Sequence, residues 1–507
     1  MKEHKSKVGK NLISMLMFQM YGDSKLIYRE YIQNSRDAIN DAVNSGVLSK
    51  ITEGRISITI NKTERIITIE DNGTGVSINN VEPVLLDIAD SSKDGETSAG
   101  QFGIGRLVGG YFCRRLSFKT SFQGENVASE IVFDIDKIKQ ILDDKNNHST
   151  ATEIIDQTTD LNLYEEDTLK HYFIVTLEDI HPDYPELLDE SIISEYLKEV
   201  APIDYSLPFK NQLISTNIHD EFVDLQKNVG YFQISVNGST SLKKRYGLKI
   251  EGTGDEILGL EYFKLEDGQF GLLAWGWYAN TPFTKSIPVS DKNSCFRLRK
   301  HNIQVGDANM LTQYFPKNET RGNKYFYGEI HVVNPKIKLN SARDGLAPTP
   351  ESEKLKSLIR DKFDELVKLY HLANDMKNIV KIADTSSEPS STEEQQHITI
   401  QRKIEQKEKS KNAQSSAAKQ VIEHYKQKVS VSSEEHDTHS SSSSRTSSAG
   451  EGVSQNPMNP FDSLKGKMTE SELQLTKRLF YLFTINCPKK HLELIEELKK
   501  KVIKDLE

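Results

Sequence analysis

Three polar side chains recur along one edge of YREYIQNSRDAIN, residues 28–40: Glu30, Asn34 and Asp37. At about 100° per residue they fall in a narrow stripe of a helix, beside an apolar stripe of Ile27, Tyr31, Ala38 and Ala42. Acid and amide bordering a packing stripe make either a catalytic edge or a wetted helix face, and the helix alone does not decide between them. A second stretch, ITIEDNGTGVS, places Asp71 at the end of a strand, followed by Gly73 and Gly75. An acid held there can accept a hydrogen bond from an exocyclic amine, and glycine lets a backbone approach a ligand closely. The plainer reading is a hairpin or Asx turn. A third stretch, SAGQFGIGRLVGGYF, carries Gly100, Gly103 and Gly105 into a helix expected from about Ile104. Backbone N–H groups at such a helix start bind phosphate oxygens. The spacing is neither GxxxxGK[ST] nor a strand-linked GxGxxG, so neither of those nucleotide folds is implied.

The elements that must position these residues follow from periodicity. Apolar positions over 8–21 have helical spacing. Asp23 and Ser24 offer an N-cap for a second helix running to about Ser45, where Gly46 ends it. RISITI (55–60) and RIITIE (65–70) alternate across a four-residue turn and read as a hairpin. Further strands are expected at RRLSFKTSF, SEIVFDI and HYFIVTLEDI. Helices beside a mostly antiparallel sheet give an α+β domain over residues 1–200. A second mixed domain is expected over 203–380, with strands at YFQISVNG, QFGLLAWGWY and KYFYGEIHVV, closed by the helix SEKLKSLIRDKFDELVKLYHLAN. Residues 383–467 are polar and Ser-rich and are expected to form a flexible linker, with a charged helix near 398–428. Residues 468–507 return to helical periodicity.

The chain has 507 residues, 65 Lys plus Arg against 74 Asp plus Glu, and a net charge of −9, so bulk charge offers no reason to bind nucleic acid. Cys113, Cys295 and Cys487 are far apart and form no CxxC pair, which points to neither a zinc site nor a disulfide framework. No stretch approaches the roughly 18–20 apolar residues of a membrane span, and a cytoplasmic protein is expected. The basic runs KRYG (244–247) and RLRKHN (297–302) read as solvated strand edges rather than contact sites.

In this order and at these spacings, the three stretches resemble the N, G1 and G2 boxes of the GHKL ATPases. YGDSKLIYREYIQNSRDAIND and GQFGIG are similar to the ninety-kilodalton heat-shock chaperones in particular, over residues 8 to about 120 and less closely to about 180. The resemblance implies a GHKL (Bergerat) ATP-binding α/β sandwich, followed by a mixed middle domain. It implies that Glu30 orients or deprotonates the attacking water, that Asn34 supplies an oxygen to Mg²⁺, and that Asp37 shapes the adenine pocket. Asp71 then binds the adenine amine, Gly75 lets the base approach, and Gly100, Gln101, Phe102, Gly103, Ile104 and Gly105 cradle the phosphates. Residues 85–102, with Ser91, Ser92 and Lys93, look like a lid over bound ATP. GEIHVVNPKIKLNSARDGL (328–346) is similar to the family's middle-domain loop, which makes Arg343 the arginine reaching the γ-phosphate.

Two departures stand out. The family's Gly-Thr pair does not precede HYFIVTLEDI, and HSTATE (148–153) is a poor substitute, so the second adenine contact has no assigned residue. The Ser-rich stretch and short helical tail stand where the family has its dimerisation domain. The expected activity is an ATPase, with ATP and Mg²⁺ as cofactors, a protein client or complex partner and a transient ATP-dependent homodimer. The alternatives are a GHKL ATPase acting on DNA or in a defence or chromatin-like complex, and a nucleotide-dependent scaffold with little turnover.

Overall fold

The computed structural model describes residues 8–18, 23–87, 105–340, 343–385 and 393–439. Seven strands form a first sheet: β1 Arg55–Asn61, β2 Ile66–Asp71, β3 Arg115–Ser121, β4 Val127–Asp134, β5 Thr159–Glu165, β6 Tyr172–Glu178 and β7 Gln233–Val236. Their order is β5-β4-β3-β6-β2-β1-β7. All pairs are antiparallel except β1 with β7. Alternation sets the buried face: Ile56, Ile58 and Ile60 of β1 point inward, as do Ile67 and Ile69 of β2. Onto that face pack α1 (Asn11–Phe18) and α2 (Leu26–Asn44), with α3 (Val81–Leu85), α4 (Ile135–Asp143), α5 (Ala151–Thr158) and α6 (Glu190–Val200) completing the layer. The architecture is α+β, with helices and sheet forming the two layers of a sandwich.

α2 ends as expected, at Gly46 in a left-handed conformation (φ +79°), whose N–H donates to the Val43 carbonyl at 3.2 Å. Its start differs. Asp23 accepts the Lys25 N–H at 3.0 Å, one turn early, while Ser24 donates to Glu186 at 2.5 Å, so neither caps the helix itself. A larger difference concerns YFQISVNG, expected in the second domain. Its strand, β7, pairs in parallel with β1, and Phe232, Ile234 and Val236 lie in the first core. The first sheet therefore extends past the expected break at 200–203, because the inward-facing Ile234 and Val236 have the isoleucines of β1 to pack on.

The second sheet holds β8 Gly259–Asp267, β9 Gly271–Asn280, β10 Cys295–Lys300, β11 Ile303–Val305 and β12 Tyr327–Val332, in the order β11-β10-β12-β9-β8. Three short helices precede it: α7 Leu207–Phe209, α8 Ser215–Asn217 and α9 Asp220–Lys227. Behind it run α10 Pro350–Thr385, α11 Glu393–Glu408 and α12 Ser416–His439. The last two overlap the charged helix expected near 398–428 and differ from the flexible-linker expectation in being packed. Ile400, Ile404, Ala417, Ala418, Val421, Ile422, Tyr425 and Val429 recur at helical spacing and are buried with α10. That stripe lies inside a polar, charge-rich composition, and composition is a poor guide to a one-faced helix. The remainder of the expected linker and the 468–507 tail lie outside the described residues. Among the described residues, no helix is long and apolar enough to cross a membrane.

The basic runs are neither solvated edges nor contact patches. Lys244, Arg297, Arg299 and Lys300 are all buried, because the second sheet is covered on both faces. Glu329 of β12, fully buried, gathers two of them, Lys244 and Arg299, while Arg297 donates to the Ser294 and Lys292 carbonyls and Lys300 to that of Ile337. Glu329 accepts from Lys244 at 2.9 Å, Arg299 at 2.5 Å and the Tyr205 hydroxyl at 2.5 Å. Burial alone raises the Glu329 carboxyl, but Arg299 and Lys244 outweigh it and hold it well below the usual carboxylate range. Removing the acid strands two buried cations. Glu329→Ala is therefore expected to destabilise the second domain by about 3 kcal/mol or more, read as an early midpoint in urea denaturation. A midpoint unchanged from the parent protein would show that the network does not hold the domain.

Candidate functional site

α2 is buried almost all round, so its polar edge is not a wetted face. Glu30, Gln33 and Asp37 are 1%, 2% and 3% exposed, and Asn34 between them is half-buried. The helix lies between the first sheet and the second domain. Both oxygens of Glu30 face guanidinium groups. Arg29 donates to Oε1 at 3.3 Å, and Nη1 of Arg343 lies 2.6 Å from Oε2. The second contact is an ion pair by distance, although its angle is not that of a hydrogen bond. Arg343 comes from a tight loop closed by the Leu339–Leu346 bridge and by the Arg343 N–H donating to the Asn340 carbonyl at 3.0 Å. Its backbone is left-handed (φ +55°), a conformation that non-glycine residues rarely adopt. The loop thus holds a strained arginine 5% exposed, inserted against another domain's acid.

Asp71 takes the third inward position of β2, after Ile67 and Ile69, so the strand's alternation delivers a carboxylate into the core face. Register places Asp71 opposite Phe173 of β6, and Phe173 opposite Thr120 of β3, in one row across three strands. Asp71 Oδ1 accepts the Gly73 N–H at 2.9 Å. The loop that follows folds back on α2: the Thr74 N–H donates to the Ala38 carbonyl at 3.2 Å, and a Cβ at Gly73 would meet Ala38 at 2.6 Å. Gly75 has φ +67°, and a Cβ there would lie 1.9 Å from the Ser121 carbonyl oxygen. The close approach that demands glycine at 75 is thus to the strand backbone. Asp37 is ion-paired to Arg36 at 2.7 Å.

Gly105 opens a 3₁₀ segment, Gly105–Tyr111, where an α-helix from Ile104 was expected. The Tyr31 hydroxyl organises it, donating to the Arg106 carbonyl at 2.9 Å and accepting the Gly109 N–H at 3.1 Å. Ser91, Lys93, Gly100, Gln101, Phe102, Gly103 and Ile104, and with them most of the lid and the expected phosphate cradle, lie outside the described residues. Among the described residues, the second adenine contact gains no replacement. The Thr120 hydroxyl, beside Asp71 in the row, already donates to Tyr172 and accepts the Val76 N–H.

Residues 25–168 match the model of the histidine kinase-, DNA gyrase B-, and HSP90-like ATPase family. The chain carries an ATPase domain of this family. The match spans α2, the Asp71 loop and the strands β1–β5. Proteins named chaperone protein HtpG are also similar. That of Halalkalibacterium halodurans is 32% identical over 140 residues, 24% of this chain and 22% of its own length. That of Geobacter metallireducens is 25% identical over 205 residues, 35% of this chain and 30% of its own length. Each match covers less than a third of the relative.

The residues of the ATPase domain suit a magnesium nucleotide. Among the described residues, no three His, Cys, Asp or Glu side chains cluster to hold a metal unaided. A Mg²⁺ bound through one side-chain oxygen, phosphates and water requires no such cluster, and Asn34 stands half-buried one turn from Glu30. Sequence reasoning missed four participants. Arg29 grips Glu30, His171 meets the Gly73 carbonyl at 2.9 Å through Nδ1, and His301 contacts Arg36 at 3.2 Å. For Arg29 and Arg36, adjacency to Glu30 and Asp37 was the available signal; for the two histidines there was none.

A substitution at Gly75 separates packing from ligand approach. Gly75→Ala is expected to lower the thermal transition of the nucleotide-free ATPase domain by at least about 3 °C, since both φ and the Ser121 carbonyl oppose a Cβ. An unchanged transition with weakened nucleotide binding would instead assign the glycine to the ligand.

Proposed function

We propose that the chain binds ATP and hydrolyses it in a cycle that closes the second domain over the ATPase domain and acts on a protein partner. The observation that carries this reading is the ion pair between Glu30 and Arg343, residues 313 positions apart that meet at 2.6 Å in a buried interface (343 − 30 = 313). In the arrangement described, Glu30 has a guanidinium close to each oxygen, with Arg343 standing where an attacking water would meet Oε2. Arg343 moves from Glu30 to the more highly charged γ-phosphate oxygens, and Glu30 is then released to orient and deprotonate the attacking water. Arginine supplied in this way stabilises charge on the transferring phosphoryl group. Asp71 accepts the adenine amine, Asp37 shapes the pocket beside it and Gly75 keeps the loop close to the strands. Gly100, Gln101, Phe102, Gly103, Ile104 and Gly105 receive the phosphates, with Ser91 and Lys93 in the covering segment. Mg²⁺, held by Asn34, supplies charge neutralisation between the phosphates when bound.

The relatives' printed role as chaperones favours a protein client. A transient homodimer on ATP binding belongs to the same reading, and so do a cytoplasmic location and a middle domain that acts as transducer. Lys244, Arg297, Arg299 and Lys300 of the basic runs are buried, and among the described residues no basic cluster favours a nucleic-acid partner.

Two substitutions test the chemistry. Glu30→Gln keeps the side chain's shape and is expected to retain ATP binding while turnover falls about 10²- to 10⁴-fold. Arg343→Ala is expected to keep binding within a few-fold and to lose about 10³-fold in kcat. Turnover unchanged in Glu30→Gln removes that acid from the mechanism; loss of binding in Arg343→Ala makes the arginine structural. Sedimentation with and without a non-hydrolysable ATP analogue reads the dimer, and protection of a denatured protein from aggregation reads the client.

A further inference from the structure

The second domain touches α2 twice. Besides Arg343 at Glu30, the turn between β10 and β11 brings His301 to Arg36. Nη2 of Arg36 lies 3.2 Å from His301 Nδ1, while Nη1 lies 2.7 Å from Asp37 Oδ1. One planar guanidinium therefore bridges an imidazole of one domain to a carboxylate of the other. Guanidinium is a donor only, so Nδ1 must accept and the ring proton sits on Nε2. Burial, with Arg36 and Lys300 nearby, pushes the imidazole down to about 3, in keeping with a neutral ring.

The turn is built to hold its place. His301 and Asn302 are both left-handed, φ +52° and +61°, as in a two-residue turn of type I′. Asn302 accepts from Lys244 at 2.8 Å and donates to the Gly230 carbonyl at 3.0 Å. Arg299 donates to the Asn302 carbonyl at 3.1 Å and to the Glu199 carbonyl of α6 at 2.8 Å. The hairpin tip is thereby fastened to the Glu329 network and to the ATPase domain. Arg36, by contrast, is a long side chain that would sample many rotamers without a partner to fix its fork.

We propose that His301 is a positioning residue for nucleotide binding: it fixes the Arg36 fork, Arg36 fixes Asp37, and the second domain thereby completes the adenine side of the pocket. The inference rests on the ATPase reading above. Glu30 and Arg36 are six residues apart, about 9 Å of helix. The two contacts therefore divide the labour along α2. Arg343 acts at the phosphate end, on the chemical step, and His301 acts at the adenine end, on affinity.

The full-length chain carries the test. His301→Gly deletes the imidazole while suiting the left-handed turn. His301→Asn also tolerates that backbone and returns an acceptor near the place of Nδ1. Binding of a non-hydrolysable ATP analogue is measured by calorimetry, beside KM and kcat for ATP. The Gly variant is expected to weaken Kd and raise KM at least about fivefold, with kcat within about twofold of the parent. The Asn variant is expected to recover most of that loss. Arg36→Gln is expected to weaken binding as well, and adding His301→Gly to it to change nothing further. Should the Gly variant lose its fold, Arg36→Gln with and without His301→Asn supplies the same comparison. Unchanged binding in His301→Gly, an Asn variant as weak as Gly, or a loss confined to kcat overturns the proposal. A parent chain that binds no nucleotide overturns the ATPase reading and this inference together, whereas a parent that binds normally beside an unaffected Gly variant overturns this inference alone.

Discussion

A carboxylate buried in one domain and a guanidinium buried in another meet across the joint between them. An ion taken out of water needs a compensating partner: Arg343 finds its partner in Glu30, and Glu30 is held by Arg343 and Arg29 together. The Glu30–Arg343 pair thus ties the second domain to the ATPase domain's helix. That coupling follows from electrostatics and burial without a further device.

The pair can work in this way only on rigid supports. On one side, α2 is packed along most of its circumference, its Tyr31 hydroxyl bound to two backbone groups of the following 3₁₀ segment. On the other, Glu329 gathers Lys244, Arg299 and Tyr205 inside the second sheet, and Arg299 continues to the end of α6. A polar centre of this kind is a poor source of net stability. It does fix geometry, since each member must keep its partners. The turn of His301 stands on this base, through Asn302.

The first sheet was legible because inward residues alternate: the isoleucines of β1 and β2 announce the hairpin, and Asp71 falls on the same inward beat. The helix edge of Glu30, Asn34 and Asp37 was legible as a pattern, and its order with Asp71 and the glycine-rich stretch supported a family resemblance that the matched residues 25–168 share. Two kinds of feature were not legible. Lys244 and Arg299 read as surface charge, since nothing local announces that Glu329 waits in another strand. Residues 400–429 read as a charged helix within a linker, and their packing was missed, since the apolar stripe is diluted by charge until a second helix covers it.

What the amino-acid sequence determined alone is therefore local: periodicity, turn glycines, and the spacing of side chains along a single helix or strand, all set by backbone geometry within a few residues. Tertiary structure decided which of those side chains are buried and what they meet. The Arg36–His301 and Glu30–Arg343 contacts join residues 265 and 313 positions apart (301 − 36 and 343 − 30), and β7 returns to β1 across more than 170 residues (233 − 61 = 172). Such meetings depend on how two packed layers settle against one another, and no short-range pattern encodes the partner of a charge before the layers close.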